Sequence, residues 1–194
     1  MPNRTYYLFL LIGTGAALLS LLLLLTVPLK AAQASDGEGT DAWLPTVQLQ
    51  EALADPSVAT VDGALHVVGG LSPAGPTNIH FQWAPQQATW QSMPAMPVPR
   101  ADAVTFVVNH RLYVLGGYNI WYGGAISYTH SYDPTSHQWF TETAMLTPTS
   151  GAAGALIDGS IYVFGGFDNV SESSAVQSYD PVQRTWTVHS SMPL

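Results

Sequence analysis

The sequence contains no cysteine and a single lysine, and charged residues make up only 9% of its 194 positions. Without cysteine, the chain can form no disulfide, no thiolate metal site and no lipidated cysteine anchor. From Ser35 onward, three arginines stand against thirteen Asp and Glu, a formal balance of −10. A surface of that sign disfavours nucleic acid and anionic lipid headgroups as partners.

Motifs of catalysis are also missing. The chain has neither a Gly-x-Ser-x-Gly nucleophile turn nor a phosphate-binding loop. Its six histidines include no pair at the i, i+4 spacing of helical metal ligands; they stand at positions 66, 80, 110, 130, 137 and 189. The sequence therefore predicts no metal site, no cofactor and no catalytic residue.

One long apolar run is present, from Tyr6 to Leu29, with Arg4 on its amino-terminal side. Ala32-Gln33-Ala34 follows it and has the small-x-small pattern of a signal cleavage site. The run is also long enough to span a bilayer as a helix. Residues 1–34 are therefore predicted to be either a cleaved signal peptide or a retained signal anchor, a membrane tether through residues 6–29. Both alternatives place the following residues outside the cytoplasm.

A ten-residue pattern occurs three times, at Val61–Gly70, Val108–Gly117 and Ile157–Gly166, after a polar linker at 35–42. Each copy has the end of an apolar strand, a two-residue polar turn, a second strand and a glycine pair. Asp-Gly is a strong hairpin signal, because such turns need positive φ at both central residues. The pattern predicts a β-hairpin that ends at a glycine pair.

Tryptophan recurs with nearly the same period, at positions 43, 90, 139 and 186. Three of these tryptophans follow related segments: Gln82-Trp83-Ala84-Pro85, Ser131-Tyr132-Asp133-Pro134 and Ser178-Tyr179-Asp180-Pro181. A period near 50 built from short strands is typical of a propeller or a solenoid. In the second unit we expect strands at Ala103–Val108, Leu112–Leu115 and Ile126–Tyr132, and a fourth from Trp139. In the first unit, where Ala84 stands in place of Asp, we expect a looser turn.

With these landmarks, residues 43–194 resemble the kelch repeat. The resemblance implies an all-β fold: a partial kelch-type β-propeller of about three four-stranded blades plus a lone amino-terminal strand at Trp43. A hydrophobic amino-terminal helix would precede it. The units are about 43–90, 91–139 and 140–192. The residues expected to carry the repeat structurally are Gly69, Gly70, Trp90, Gly116, Gly117, Tyr132, Trp139, Gly165, Gly166, Tyr179 and Trp186.

Three blades fall short of a closed ring, because propellers close with about four to eight. The ring is therefore expected to need further blades from a longer protein, or a second chain.

Ligand-binding residues are expected where the repeats differ. Alternating strands place five segments on one face: Leu71–Asn78, Ser92–Arg100, Tyr118–Ala125, Ala144–Ser150 and Phe167–Ser174. The second unit is two residues longer than the others, and the extra length falls in the third segment. Exposed aromatics on such a loop suit a sugar face or a protein side chain. The candidate ligand-binding residues are Arg100, Asn119, Trp121, Tyr122 and Asp168.

These observations predict an extracytoplasmic binding module for a protein or glycan ligand. The alternative is a fragment of a kelch-type carbohydrate-active enzyme, similar to sialic acid mutarotases or to galactose oxidase, with its active residues on absent blades. The oxidase's tyrosine–cysteine cofactor cannot form in this chain, because it has no cysteine.

Overall fold

The computed structural model describes residues 47–193, which form three four-stranded antiparallel sheets. Blade 1 has the strand order β1-β2-β5-β6, blade 2 the order β7-β8-β11-β12, and blade 3 the order β13-β14-β15-β16. The strands are β1 (Ser57–Val61), β2 (Ala64–Val68), β3 (Leu71–Ser72), β4 (Gly75–Pro76), β5 (His80–Trp83), β6 (Gln91–Ser92), β7 (Val104–Val108), β8 (Arg111–Leu115), β9 (Tyr118–Asn119), β10 (Gly124–Ala125), β11 (Thr129–Asp133), β12 (Gln138–Thr141), β13 (Ala153–Ile157), β14 (Ser160–Phe164), β15 (Val176–Asp180) and β16 (Thr185–His189).

The predicted all-β class and the four-stranded unit are confirmed for residues 47–193. In blade 2 the predicted strand boundaries agree to within a residue at most ends, but the third strand begins at Thr129 and not at Ile126. The predicted leader, the linker at 35–42 and the strand at Trp43 lie outside the described residues. Among residues 47–193, no helix has the length and hydropathy needed to cross a bilayer.

The hairpin turns have the backbone geometry that the sequence predicts. Asp62 and Gly63 have φ of 48° and 80°, and Asp158 and Gly159 have 49° and 80°. Blade 2 makes the same turn without glycine, through Asn109 and His110. Positive φ at both central residues matches the twist of the flanking strands, so these two-residue turns fix the register of each hairpin.

The glycine pairs of blades 1 and 2 each join their blade to the chain entering the next blade. The Gly70 N–H donates to the Arg100 carbonyl at 2.8 Å, and the Gly117 N–H donates to the Thr149 carbonyl at 2.8 Å. A Cβ at Gly117, where φ is 105°, would lie 2.6 Å from the Ala101 carbonyl oxygen. The glycine therefore supplies both a left-handed conformation and room for a neighbouring backbone.

The repeated tryptophans lie at the joints between blades. The Trp139 indole N–H donates to the Pro94 carbonyl at 2.8 Å, and that of Trp186 donates to the Thr143 carbonyl at 2.9 Å. Both acceptors follow the last strand of the preceding blade. Each indole also packs on its own blade's tyrosine, with Tyr132 and Trp139 ring centroids 5.2 Å apart.

The apolar interior is divided into two clusters, one for each joint between neighbouring blades. The cluster between blades 1 and 2 contains Val61, Val68, Met96, Leu112, Val114 and Tyr132. The cluster between blades 2 and 3 contains Val104, Val108, Tyr113, Leu115, Met145, Ile161, Val163, Tyr179 and Trp186. Blade-to-blade packing therefore supplies the core, as expected for a repeat protein.

The first unit departs from the other two at the turn into its last strand. The Asp133 carboxylate accepts the N–H groups of Thr135 and Ser136, whereas Ala84 offers no such acceptor. The Gln87 side chain accepts the Ala84 N–H instead, at 2.9 Å. The last strand, β6, has only two residues, so the turn without aspartate is followed by a shorter ladder.

Blade 3 exposes apolar residues on the flank that no other described blade covers. Leu156, Ile157 and Val188 are 45%, 46% and 60% exposed. The expectation that further blades or a second chain complete the ring stays a prediction.

Candidate functional site

One end of the three blades carries the connections between second and third strands and the connections between blades; we call it the loop face. In each blade, an isolated β-bridge holds the loops of this face. These bridges join Ala54 to Leu71, Ala101 to Tyr118, and Ser150 to Phe167. Each bridge fixes a second-to-third connection against the segment that enters the same blade. The loops of this face are therefore held by backbone hydrogen bonds.

The most exposed apolar segment of the loop face is in blade 2. Between β9 and β10 the chain forms a short 3-10 helix, Ile120–Tyr122. Ile120, Trp121 and Tyr122 are 60%, 61% and 57% exposed. We call Tyr118–Ala125 the aromatic loop. Three consecutive large apolar side chains in solvent are costly unless they meet a partner, so this loop is the candidate binding element.

Asn119 fixes the start of the aromatic loop. Its side-chain oxygen accepts the Trp121 N–H at 2.8 Å, and its amide N–H donates to the Pro99 carbonyl. The residue is fully buried. The structure thus places Asn119 under the loop, where its side chain caps the 3-10 helix and bonds to backbone groups.

Asn169 of blade 3 fixes the other end of the loop. Its amide N–H donates to the Ala125 carbonyl at 2.8 Å, and its side-chain oxygen accepts the Ala125 N–H at 2.5 Å. The Asn169 side chain thus pairs with the Ala125 peptide groups as a neighbouring strand would in a β-bridge. We call these two hydrogen bonds the Asn169 clamp. The Trp121 ring meanwhile lies over Gly75 of blade 1, where a Cβ would come within 2.8 Å of the indole. The aromatic loop therefore contacts both neighbouring blades.

A groove of about 360 Å³ opens beside the aromatic loop. Tyr122 and Tyr128 stand edge to face across it, with centroids 6.1 Å apart and an interplanar angle of 82°. No charged side chain lines the groove; its lining residues are Tyr122, Ala125, Ile126, Ser127, Tyr128 and Pro148. Its chemistry suits an apolar side chain or ring.

Arg100 was expected at the loop face, but the structure places it in the interior, with 1% exposure. Its guanidinium donates to the carbonyls of Gly116 and Tyr128, at 3.1 and 2.9 Å, and to the His130 imidazole. Burial lowers the pKa of Arg100 to about 9, so the side chain is charged at neutral pH. Arg100 joins blade 1 to blade 2 and does not reach the surface of the loop face.

Asp168 lies on the loop face, next to the Asn169 clamp. Its carboxylate accepts the N–H groups of Val170 and Ser171, both at 3.0 Å. The Ser171 N–H and then the Val170 N–H lower the pKa of Asp168, so the carboxylate is ionised at neutral pH. Of the five candidate residues, Trp121, Tyr122 and Asp168 are at or near the surface, Asn119 supports the aromatic loop, and Arg100 lies in the interior. Ligand binding by any of them stays a prediction.

Three residues of the site were missed from sequence. Ile120 adjoins the predicted pair and could have been included on hydropathy alone. Tyr128 is assigned to a strand by its position, yet it precedes β11 and is 38% exposed. Asn169 gave no local signal, because its partner lies 44 residues earlier in the chain.

Three of the six histidines are buried in blades 1 and 2: His66, His80 and His130. The His66 and His80 imidazoles share a 2.8 Å hydrogen bond, and the His80 ring stands edge-on to Tyr132, 4.5 Å between centroids. Burial lowers the pKa of His66, and it lowers the pKa of His80 and of His130 to about 3. Among residues 47–193, no three His, Asp or Glu side chains converge as a metal site would require.

Comparison with known families gives a match over most of the chain. The model described as the KLHDC2/KLHL20/DRC7 Kelch-repeats domain matches residues 56–192. An F-box/kelch-repeat protein of Arabidopsis thaliana is 33% identical over 82 residues, which is 41% of this chain and 17% of that protein. Beta-scruin of Limulus polyphemus is 28% identical over 100 residues, which is 48% of this chain and 11% of that protein. The aligned part of the chain therefore covers less than a fifth of either relative.

Among solved structures, that of YjhT superposes with a TM-score of 0.63 at 21% sequence identity. The superposition covers 72% of this chain and 52% of YjhT. At that identity the likeness concerns the fold alone. It supports the propeller-type arrangement of the three sheets.

Proposed function

Because the chain belongs to the kelch-repeat family, we propose that it is a binding module that recognises a protein through the aromatic loop of blade 2. The observation that carries the proposal is the exposure of Ile120, Trp121 and Tyr122, each more than half open to solvent. Kelch repeats generally mediate protein–protein interaction, and aromatic residues dominate the binding energy of protein interfaces. The module needs no catalytic residue for this role.

Rigidity supports the same proposal. Asn119 caps the 3-10 helix, the Asn169 clamp holds Ala125, and Trp121 lies on Gly75. A loop held in this way loses little conformational entropy when a partner docks, so more of the contact energy appears as affinity.

A protein ligand fits the loop better than a glycan. A sugar site pairs an aromatic face with polar groups that fix the hydroxyls, and Asn119 is the amide that the sequence offers for that task. Both polar atoms of its side chain are already bonded to Trp121 and Pro99. The groove beside the loop has only the hydroxyls of Tyr122, Ser127 and Tyr128 as polar side-chain groups. Its apolar walls suit an apolar anchor from a protein.

The test is the double substitution Trp121→Ala plus Tyr122→Ala. We expect it to weaken capture of protein ligands at least about tenfold, or ~1.4 kcal/mol, while the melting temperature stays within a few degrees of the parent. Pull-down from the extracellular fraction and a glycan array, each run on parent and variant, measure the two ligand classes. Val182→Ala is the matched control, because Val182 is 74% exposed in the turn between β15 and β16, at the opposite end of the blades.

Equal capture by parent and double variant would remove the aromatic loop as the binding element. If the double variant loses glycan binding and keeps protein binding, the ligand of the aromatic loop is a glycan. Turnover of a sugar by the parent would favour an enzyme.

We also propose that residues 35–194 act outside the cytoplasm, on the basis of the apolar run Tyr6–Leu29 and its positive flank. In intact cells a protease added outside should digest a carboxy-terminal tag. Protection of the tag until lysis would contradict the proposal. Mass spectrometry of the mature amino terminus separates a cleaved signal, starting at Ser35, from a retained anchor.

A further inference from the structure

The charges of residues 47–193 are distributed unequally between the two ends of the blades. The described chain has three salt bridges: Asp62–His110, Arg111–Asp133 and Arg184–Glu142. All its exposed arginines are thus engaged in ion pairs. None of these pairs includes a carboxylate that belongs to a segment of the loop face.

The loop face carries carboxylates from successive blades. Asp55 and Asp102 occupy equivalent positions just before β1 and β7, and both are exposed. The Asp102 N–H donates to the Asp55 carbonyl at 3.0 Å, so the two residues are adjacent across the joint between blades. Blade 3 adds Asp168 and Glu172, and Glu172 lines the same cleft of about 570 Å³ as Asp102.

No cation of the described chain balances these four carboxylates. Arg100 lies only two residues before Asp102 in the sequence, but its side chain is buried beneath the loop face. Burial, and then the charge of Asp55, raise the pKa of Asp102, as expected for two neighbouring carboxylates that repel each other. A cation from outside the chain would relieve that repulsion.

Resting on the proposed function, the geometry points to a partner with positive charge: a lysine- or arginine-containing protein segment that carries an apolar residue. Its apolar side chain enters the groove between Tyr122 and Tyr128. Its cationic side chains lie against Asp55, Asp102, Asp168 and Glu172. An apolar contact supplies affinity, and the complementary charges select the partner and speed its association.

Three fluorescein-labelled peptides test the inference on the purified full chain in a nonionic detergent. The first has four lysines around a central Leu-Trp-Leu, the second replaces lysine by glutamate, and the third replaces the apolar centre by glycine. We expect the first to bind at least tenfold more tightly than either of the others in fluorescence anisotropy. Its affinity should fall as NaCl rises from about 0.05 to 0.5 M, because salt screens exposed charges. Equal affinity for the lysine and glutamate peptides, or no binding of the lysine peptide, would overturn the inference.

A matched pair of double variants locates the effect. Asp55→Asn plus Asp102→Asn removes two charges from the loop face, and Asp62→Asn plus Asp158→Asn removes two from the opposite end. All four aspartates have positive φ, between 48° and 60°, a conformation that asparagine tolerates well. We expect the first double variant to bind the lysine peptide at least tenfold more weakly than the parent. The second double variant should change the affinity for this peptide less than twofold. Equal effects of the two pairs would contradict a site on the loop face.

The same assay separates this inference from the proposed function. If Trp121→Ala plus Tyr122→Ala abolishes binding but the loop-face charge variant does not, the aromatic loop stands and the cationic partner is wrong. If the charge variant abolishes binding and the aromatic variant does not, the cationic preference stands and the aromatic loop is wrong as the anchor.

Discussion

Side-chain amides do much of the positioning at the loop face. Asn119 and Asn169 each use both polar atoms on backbone groups, one at the start of the aromatic loop and one at its end. Because an amide offers both a donor and an acceptor, one side chain can pair with a peptide group as a neighbouring strand would. The loop that carries the exposed ring of Trp121 is thus held at both ends by side-chain amides.

Asn169 is the residue at which this positioning can be tested. Its φ is 79°, so glycine can replace it without backbone strain. We expect Asn169→Gly to remove both hydrogen bonds to Ala125, to raise amide hydrogen exchange in residues 118–125, and to weaken ligand capture several-fold. Asn169→Asp keeps the acceptor and should have a smaller effect. Unchanged exchange in the glycine variant would show that the Asn169 clamp does not hold the loop.

At the scale of elements, the hairpin and its glycine pair form a unit that a short stretch of sequence is enough to predict. The turns at Asp62-Gly63 and Asp158-Gly159 can be predicted from sequence, because few residue types fit the positive φ that these turns require. Local chemistry determines these elements, so their strands could be predicted to within about a residue. The third strand of blade 2 was predicted too early because Ile126 is apolar, yet it is buried in the loop ahead of Thr129.

Two roles of glycine, positive φ and close approach of a neighbouring backbone, can be separated by experiment. At Gly117 a Cβ would meet the Ala101 carbonyl oxygen at 2.6 Å, whereas at Gly159 nothing lies within 4 Å. Both have positive φ, so alanine is strained at each, by about 1–2 kcal/mol. We expect Gly117→Ala to cost about 1–3 kcal/mol more than Gly159→Ala, because it also pushes the end of β8 away from the segment that enters the same blade at Ala101. Chemical denaturation measures the difference, and equal midpoints for the two variants would contradict the close approach.

At the scale of the molecule, the sequence predicted the elements that repeat, but it did not predict the contacts that Arg100 and Asn169 make between blades. The fold class follows from the period, but Arg100 and Asn169 act across blades, with partners 30 and 44 residues away. A single sequence does not specify which side chains meet across such a distance. Arg100 was therefore named as a candidate ligand-binding residue, and its buried partners were not predicted. The same limitation hid the asymmetry of charge, since it depends on which arginines are buried or paired.

Buried histidines give the joint between blades 1 and 2 a dependence on pH. His66, His80 and His130 lie within it, each at most 2% exposed, and each with a pKa lowered by burial as the main cause. The second cause is the charge of His66 for His80 and that of Arg100 for His130. Of the other groups around them, Asp62 raises the pKa of His66, and the Pro94 carbonyl raises that of His80 while His137 lowers it. The neutral form of each histidine is therefore the one that the folded chain accommodates.

Acid should therefore destabilise the protein well above the range in which most carboxylates titrate. Below about pH 6.5 the unfolded chain binds protons on these histidines, while the folded chain, where the pKa of His80 and of His130 is about 3, does not. The free energy of unfolding is then present in full above pH 6.5 and falls as pH decreases toward 3, by up to about 1.4 kcal/mol per pH unit for each histidine. Urea denaturation between pH 7.5 and 4.5 measures this slope. His130→Gln, which installs the residue found at the equivalent position 177, should reduce the slope by one proton, and an unchanged slope would exclude His130 as a source of the acid sensitivity.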